Sequence, residues 1–335
     1  MTKRVMVIRG FVLLLVIGIG TTFKLVTARA AVSVAVLQPT EPFQVQGLDS
    51  FRLTDVAAYN GDLFLLLNGP DGSGQILRVT KKGDIVRTIP LPTLSPLQHF
   101  GQLCISQAGT LAVSFSRLGS VPQTTLLLYE TDGALKTSFD TNVFNEIAFI
   151  GDDLVGVGAT GITQLTSQSR FVPNASSLPL NFVDRIARVW TASLPQNRLA
   201  IVEPLSGRLQ IVTMDSVVVA PIILKAPEIQ GVARPQQPDP GVFLLVVHTI
   251  AASPNGNIYI GVTGGKRQEG APVLQLDSSG MLTNRLKCIL PTFGQDPSNH
   301  QSYMYAKRLV ATNDSLFWIS ESEKKVAVYS LENVH

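Results

Sequence analysis

A two-part pattern returns six times along the chain, and this repetition constrains the fold more than any other feature. The clearest copy of its first part is VVHTIAASPNGNIYIGVTGG, Val246 to Gly265, in which two apolar runs flank Pro254-Asn255-Gly256-Asn257. Related stretches start at Asp55 (DVAAYNGDLFLLL), Leu103 (LCISQAGTLAVSF), Glu146 (EIAFIGDDLVGVG), Val189 (VWTASLPQNRLAIVE) and Arg308 (RLVATNDSLFWIS). Each reads as a strand, a tight polar turn and a second strand. Asn60-Gly61, Ala108-Gly109 and Asn255-Gly256 suit the positive φ that hairpin turns need. Gly151-Asp152, Gln196-Asn197 and Asn313-Asp314 are weaker versions of the same signal.

A second motif follows each hairpin: an apolar strand, a turn and an outer strand. Its copies start at Ile76 (ILRVTKKGDIVRTI), Leu126 (LLLYETDGALKTSF), Ile162 (ITQLTSQSRFV), Leu209 (LQIVTMDSVVVAPI), Val273 (VLQLDSSGMLTNRL) and Val326 (VAVYSLENVH). Gly83, Gly133 and Gly280 mark three of the turns. Units spaced by roughly 35 to 65 residues that cannot bury their faces alone must stack on one another. With 27 Gly and 20 Pro and no long helical periodicity, the chain is predicted to be all-β. The expected architecture is a six-bladed β-propeller of four-stranded antiparallel blades. A tandem pair of β-sandwiches is the alternative, but it predicts a mid-chain linker that is not visible.

The sixth unit is short. After VAVYSL only Glu332 to His335 remain, too few for an outer strand. An N-terminal strand is expected to close the ring and cover an edge that otherwise invites aggregation. FQVQGLD (Phe43 to Asp49) is the first candidate for that strand, and AVSVAVL (Ala31 to Leu37) competes with it.

The two motifs, NGNIYI with LQLDSSG above all, resemble those of six-bladed propellers of the NHL and TolB-like superfamily, over about residues 41–335. The resemblance implies a fold. It does not imply one activity, because such propellers include binding modules, lactonases and lyases.

Residues 1–30 differ from the rest. Lys3, Arg4 and Arg9 precede an almost wholly apolar run from Phe11 to Phe23, and Ala28-Arg29-Ala30 follows. This is the pattern of a secretory signal peptide, cleaved near Ala30. The run is shorter than the roughly 18 residues of a membrane span, and an uncleaved N-terminal anchor is the alternative. A secreted or periplasmic protein is therefore expected, with residues 31–335 as one propeller domain and no span in the mature chain. Lys3, Arg4, Arg9, Lys24 and Arg29 are five of the 27 basic residues, so 27 less 5 leaves 22 basic against 24 acidic. A chain so balanced has no field for nucleic acid. A monomer is expected.

No nucleophile elbow, zinc-helix, P-loop or dinucleotide motif occurs, and no cofactor is indicated. Cys104 and Cys288 fall in strands of different blades and read as separate thiols. His99, His248 and His300 each precede an inner strand and do not signal a metal site. Asp55, Glu146 and Arg308 stand eight residues before Leu63, Leu154 and Leu316, so they share one register and are the candidates for a polar cradle in the channel. Asn145-Glu146 is compatible with one ligand pair of a calcium-dependent lactonase-type propeller, whose other ligands are not visible. NGPDGSGQ (Asn68 to Gln75) reads as a loop rather than a calcium site.

Long loops on a rigid scaffold commonly carry recognition. The longest connections are Lys225 to Gly241 and Pro291 to Tyr305, with Thr263 to Pro272 between them. Propeller topology should gather them on one face over blades four to six. Arg234, Lys266, Arg267, His300, Tyr303 and Tyr305 supply cations and rings there and are the candidate ligand-binding residues. The expectation is an exported binding module for an unidentified protein or small molecule. An exported hydrolase or lyase, lactonase-like, with its site at the channel mouth is the alternative.

Overall fold

The computed structural model describes residues 34–40, 43–44, 50–95, 98–117, 123–141, 144–158, 161–166, 178–179, 189–204, 207–224, 247–262, 271–289, 307–320, 325–332 and 334. They form 25 strands in six sheets, with no helix among them. Two short strands come first, β1 (Val34–Leu37) and β2 (Phe43–Gln44). Blade one is β3 (Arg52–Tyr59), β4 (Asp62–Asn68), β5 (Gly74–Val79) and β6 (Ile85–Leu91). Blade two is β7 (Phe100–Ile105), β8 (Thr110–Arg117), β9 (Gln123–Glu130) and β10 (Leu135–Thr141). Blade three is β11 (Glu146–Ile150), β12 (Asp153–Gly158), β13 (Gly161–Gln164) and β14 (Leu178–Pro179). Blade four is β15 (Trp190–Leu194), β16 (Arg198–Glu203), β17 (Arg208–Val212) and β18 (Val217–Ile223). Blade five is β19 (Val247–Ala252), β20 (Ile258–Val262), β21 (Ala271–Leu276) and β22 (Leu282–Cys288); β23 (Lys307–Ala311), β24 (Ser315–Ser320) and β25 (Lys325–Ser330) begin blade six.

Each blade is an antiparallel meander, and each innermost strand touches the next around the ring, β23 meeting β3. The chain is a six-bladed β-propeller. The core lies between blades, not within one layer. β4 shows why its sequence DLFLLLN is an unbroken apolar run. Leu63, Leu65 and Leu67 pack towards blade six, while Phe64 and Leu66 pack towards blade two. Successive side chains of a strand point to opposite faces, so a strand covered on both faces must be apolar throughout.

Both N-terminal candidates are used. Phe43 and Gln44 pair antiparallel with Val326 and Lys325, which supplies the fourth strand of blade six. Residues 45–49 of that candidate lie outside the described residues. β1 does not compete for the same edge. It pairs in parallel with β22, Val34 opposite Arg285 through Leu37 opposite Cys288, and so becomes a fifth strand of blade five. The chain then crosses to blade six, where Thr40 N–H donates to Val328 O at 2.8 Å. Residues 1–30, which the sequence pattern reads as a signal peptide, lie outside the described residues.

Strand direction gives the propeller two unlike ends. With the strands of each blade lettered a to d from the innermost outwards (β3 to β6 in blade one), the a–b hairpins and the c–d turns lie at one, the turn end. Hydrogen bonds between blades lace it: Ala108 N–H to Asp152 Oδ1 at 2.9 Å, Arg198 Nη1 to Ser278 O at 2.9 Å, Asn255 N–H to Asn313 Oδ1 at 2.9 Å, and Lys81 Nζ to Asp314 Oδ2 at 2.6 Å. The b–c loops and the crossings between blades leave from the other, the loop end.

Candidate functional site

The six inner strands carry one equivalent position each. Asp55 stands opposite Leu66, Gln102 opposite Ser114, Glu146 opposite Val157, Trp190 opposite Val202, Thr249 opposite Gly261 and Arg308 opposite Ile319. Each partner is the third residue after the first leucine or isoleucine beyond the hairpin turn. These positions form a ring nearer the loop end of the channel wall. Asp55, Glu146 and Arg308 are three of its members, on blades one, three and six.

Most of the ring reaches to the following blade. Asp55 is 2% exposed. Its Oδ2 accepts the Leu103 N–H of blade two at 2.8 Å, and its Oδ1 accepts the Val56 N–H at 2.5 Å. The Gln102 amide spans blades two and three: its Oε1 accepts Ile147 N–H at 3.0 Å and its Nε2 donates to Asn145 O at 2.7 Å, with Glu146 Oε2 at 3.4 Å. Trp190 Nε1 donates to Val247 O of blade five at 3.3 Å. Thr249 Oγ1 accepts Leu309 N–H of blade six at 3.1 Å. A strand at the centre of a propeller has one side free of a ladder, so its N–H groups need acceptors from elsewhere. These side chains provide them.

The spacing from the turn identified only half of this ring. In blades two, four and five the cross-strand partners of Gln102, Trp190 and Thr249 lie one residue further along the chain than in blades one, three and six. Counting from the partner strand, not from the turn, would have revealed all six.

Cys104, two residues after Gln102, lies between the two carboxylates. Its side chain is partly accessible, but surrounding protein, then Asp55, then Glu146, raise its thiol well above the ordinary value. Glu146 is buried and Asp55 and Glu146 each have further interactions. The Arg308 backbone belongs to β23; its side chain lies outside the described residues. Among the described residues no cluster of three His, Cys, Asp or Glu side chains is placed to hold a metal ion. Asp71 in the Asn68–Gln75 segment accepts Ser73 N–H at 3.0 Å, so its carboxylate serves the local turn.

His99 is exposed ahead of β7. His248 lies within β19, not before it, because the pairing slips between Val247 and Thr249 and leaves His248 as the bulged residue. Thr54 and Gly101 occupy the same place on blades one and two. The candidate loop residues Arg234, Lys266, Arg267, His300, Tyr303 and Tyr305 all lie outside the described residues. The strands that bound their segments are described. Residues 225–246 follow β18 and precede β19, residues 263–270 lie between β20 and β21, and residues 289–306 between β22 and β23; the described strand ends on either side of each are at the loop end. Among the described residues no helix is long and apolar enough to cross a membrane.

No family model matches the chain, and no curated protein matches it. Solved structures do. Virginiamycin B lyase from Staphylococcus aureus is 9% identical, with 87% of this chain and 98% of that one covered, at a TM-score of 0.48. A PQQ-bound aldose sugar dehydrogenase from Streptomyces coelicolor is 15% identical over 86% and 96%, at 0.47. Glutaminyl cyclase from Myxococcus xanthus is 10% identical over 88% and 96%, at 0.43.

Proposed function

We propose that the protein is an exported binding module, of the NHL and TolB-like kind, that recognises a ligand or partner through its loop end over blades four to six. The observation that carries this reading is the asymmetry of the two ends. Hydrogen bonds between blades lace the short turns of the turn end, while the two longest connections, residues 225–246 and 289–306, both depart from the other. Export rests on the basic, apolar and small-residue order of residues 1–30. Mass spectrometry of the protein recovered outside the cytoplasm should find a first residue of Ala31; an intact Met1 terminus would refute cleavage.

A second reading, a hydrolase or lyase at the channel mouth, is favoured by the shared ring position of Asp55, Glu146 and Arg308. One experiment separates the two. A small-molecule library is screened by thermal shift, since any ligand of the folded state raises the melting temperature. Under the binding-module reading, shifts vanish in Arg267→Ala with Tyr303→Ala and survive in Glu146→Gln with Arg308→Gln. The opposite pattern supports the channel site.

A further inference from the structure

Asn-Gly occurs at three places in the chain: Asn60-Gly61, Asn68-Gly69 and Asn255-Gly256. An asparagine before a glycine can close on the following nitrogen, because glycine has no Cβ to hinder the approach. The closure needs a glycine N–H that is not engaged, a side-chain amide that can turn, and room for a cyclic imide. The three pairs share a sequence and differ in all of these respects.

Asn68 is clamped. Its Nδ2 donates to Phe100 O at 2.8 Å and its Oδ1 accepts Phe100 N–H at 2.9 Å, while Gly69 N–H donates to Ser73 O at 2.7 Å. Asn255 is held from its own turn and from blade six. Its Oδ1 accepts the Ser253 hydroxyl, its N–H donates to Asn313 Oδ1 at 2.9 Å, and Gly256 N–H donates to Ser253 O at 2.8 Å. Gly256 is also buried, and a Cβ there would lie 3.2 Å from Cβ of Ser278. Asn60-Gly61 has none of these restraints. Asn60 is exposed, and neither its amide nor the Gly61 N–H has a hydrogen-bond partner among the described residues. A Cβ on Gly61 would meet only the Lys81 stem, at 3.6 Å.

We propose that Asn60 is a site of spontaneous modification: the Gly61 nitrogen attacks Asn60 Cγ, the Cγ–Nδ2 bond breaks, and ammonia leaves with the Gly61 proton. Water then opens the imide at either carbonyl and leaves aspartate or isoaspartate. Asn68 and Asn255 keep their amides while the protein is folded. The new carboxylate arises on the turn against which the Lys81 stem lies, and the Lys81 ammonium bonds Asp314 of blade six at 2.6 Å. The modified turn thus competes for the cation that ties blade six to blade one. Isoaspartate also lengthens the backbone of a turn closed by the Tyr59–Asp62 pair, and loop length sets hairpin register. Asn60 lies at the turn end, so none of this depends on the loop-end reading.

The purified protein is incubated folded at mildly alkaline pH and mapped by peptide mass spectrometry, with a methyltransferase specific for isoaspartate as a second detector. Conversion at Asn60 should run at least about tenfold faster than at Asn68 or Asn255, since each of those must first give up two or more hydrogen bonds. In urea the rates should converge, Asn68 and Asn255 rising to meet Asn60. In Asn60→Asp, which carries the direct product, the Asp314 carboxyl should titrate closer to its ordinary value than in the wild type. Equal native rates at the three sites, or an Asn60 rate that rises in urea as steeply as the other two, would overturn the proposal. An unmoved Asp314 titration in Asn60→Asp would overturn the competition for Lys81.

Discussion

A Cβ on Gly83 would lie 2.6 Å from Cδ2 of Phe43, so the c–d turn of blade one is packed directly on the ring of the strand that closes blade six. The same contact recurs elsewhere with other side chains. Gly133 of blade two faces Ile89 of blade one, and Gly280 of blade five faces Ile222 of blade four. Phe43 therefore fills the outer-strand position that Ile89 and Ile222 fill in blades one and four. It joins an apolar cluster with Leu63, Leu77 and Phe317 across the closing interface.

Phe43→Ala should destabilise the propeller by about 2–3 kcal/mol, below the roughly 3–5 kcal/mol of a fully buried aromatic truncation because the ring is only partly buried. Gly83→Ala should cost about 1–3 kcal/mol, since its φ is +93° and the new methyl meets the Phe43 ring. The double variant should be less unstable than the sum, with a coupling of about 1 kcal/mol. Denaturant midpoints of the four proteins test this. A wild-type midpoint for Phe43→Ala would mean that the ring closes without β2.

Asp55 holds two blades through backbone donors. Removing its carboxylate strands the Leu103 N–H in a buried place. Asp55→Ala should cost about 2–4 kcal/mol, combining lost charge-assisted bonds with an unmet donor. Asp55→Asn keeps one acceptor and should cost less. Amide exchange at Leu103 should speed up in Asp55→Ala before exchange elsewhere in blade two does; uniform acceleration would argue against a local staple.

The blades were legible because their second strands are apolar on both faces and the hairpin turns of blades one and five are Asn-Gly. The two destinations of the N-terminal segment were not. Val34 to Leu37 and Phe43 to Gln44 are both short strand-like stretches, and no local rule tells a parallel fifth strand from an antiparallel fourth one. The choice is made by the distant partners, Arg285 to Cys288 and Val326. The ring of inner positions was half legible for a related reason. A charge announces itself, whereas Gln102 and Thr249 perform the same bonding with ordinary polar groups.

Gln196 is a place where the chain tolerates a poor local choice. The blade-four hairpin turns through Gln196 at φ 61° and Asn197 at φ 53°, both left-handed. Asparagine accepts this region more readily than glutamine does. Blade one makes the same turn with Asn60 and Gly61, at φ 50° and 85°. Gln196→Asn should therefore stabilise the protein by about 0.5 kcal/mol. Asn197 should be left alone, because its side chain packs against Gly151 of blade three. A lowered melting temperature for Gln196→Asn would show that the glutamine side chain has a contact worth more than the strain.

Cys288 is fully buried in β22 beside Tyr329, and desolvation lifts its thiol to about 12. The thiolate is the reactive form, so native Cys288 should resist alkylation at pH 8. Cys104 should also react slowly, since burial first, and then Asp55 and Glu146, oppose its ionisation. Both should label fully in denaturant. Rapid labelling of Cys288 in native protein would imply that blade five opens readily along the β21–β22 ladder.

Asp314 links blade six to blade one through Lys81, and its proton affinity records the link. Hydrogen bonds from Lys81 and then Thr312, with the charge of Lys81, hold the carboxyl down at about 2, from an ordinary 3.8. An acid with a lowered folded value stabilises the fold above its unfolded value, and that contribution disappears as pH falls from about 4 through about 2. The pair is exposed, at 37% for Lys81 and 51% for Asp314, so solvent screening limits its worth to about 0.5 kcal/mol. Lys81→Ala should move the Asp314 titration back towards the ordinary carboxylate range by NMR, and added salt should move the wild type the same way. The melting temperature at neutral pH should drop by no more than about 2 °C. A larger drop would mean that the aliphatic stem of Lys81, which lies 3.6 Å from a Cβ position on Gly61, carries packing that the ion pair does not.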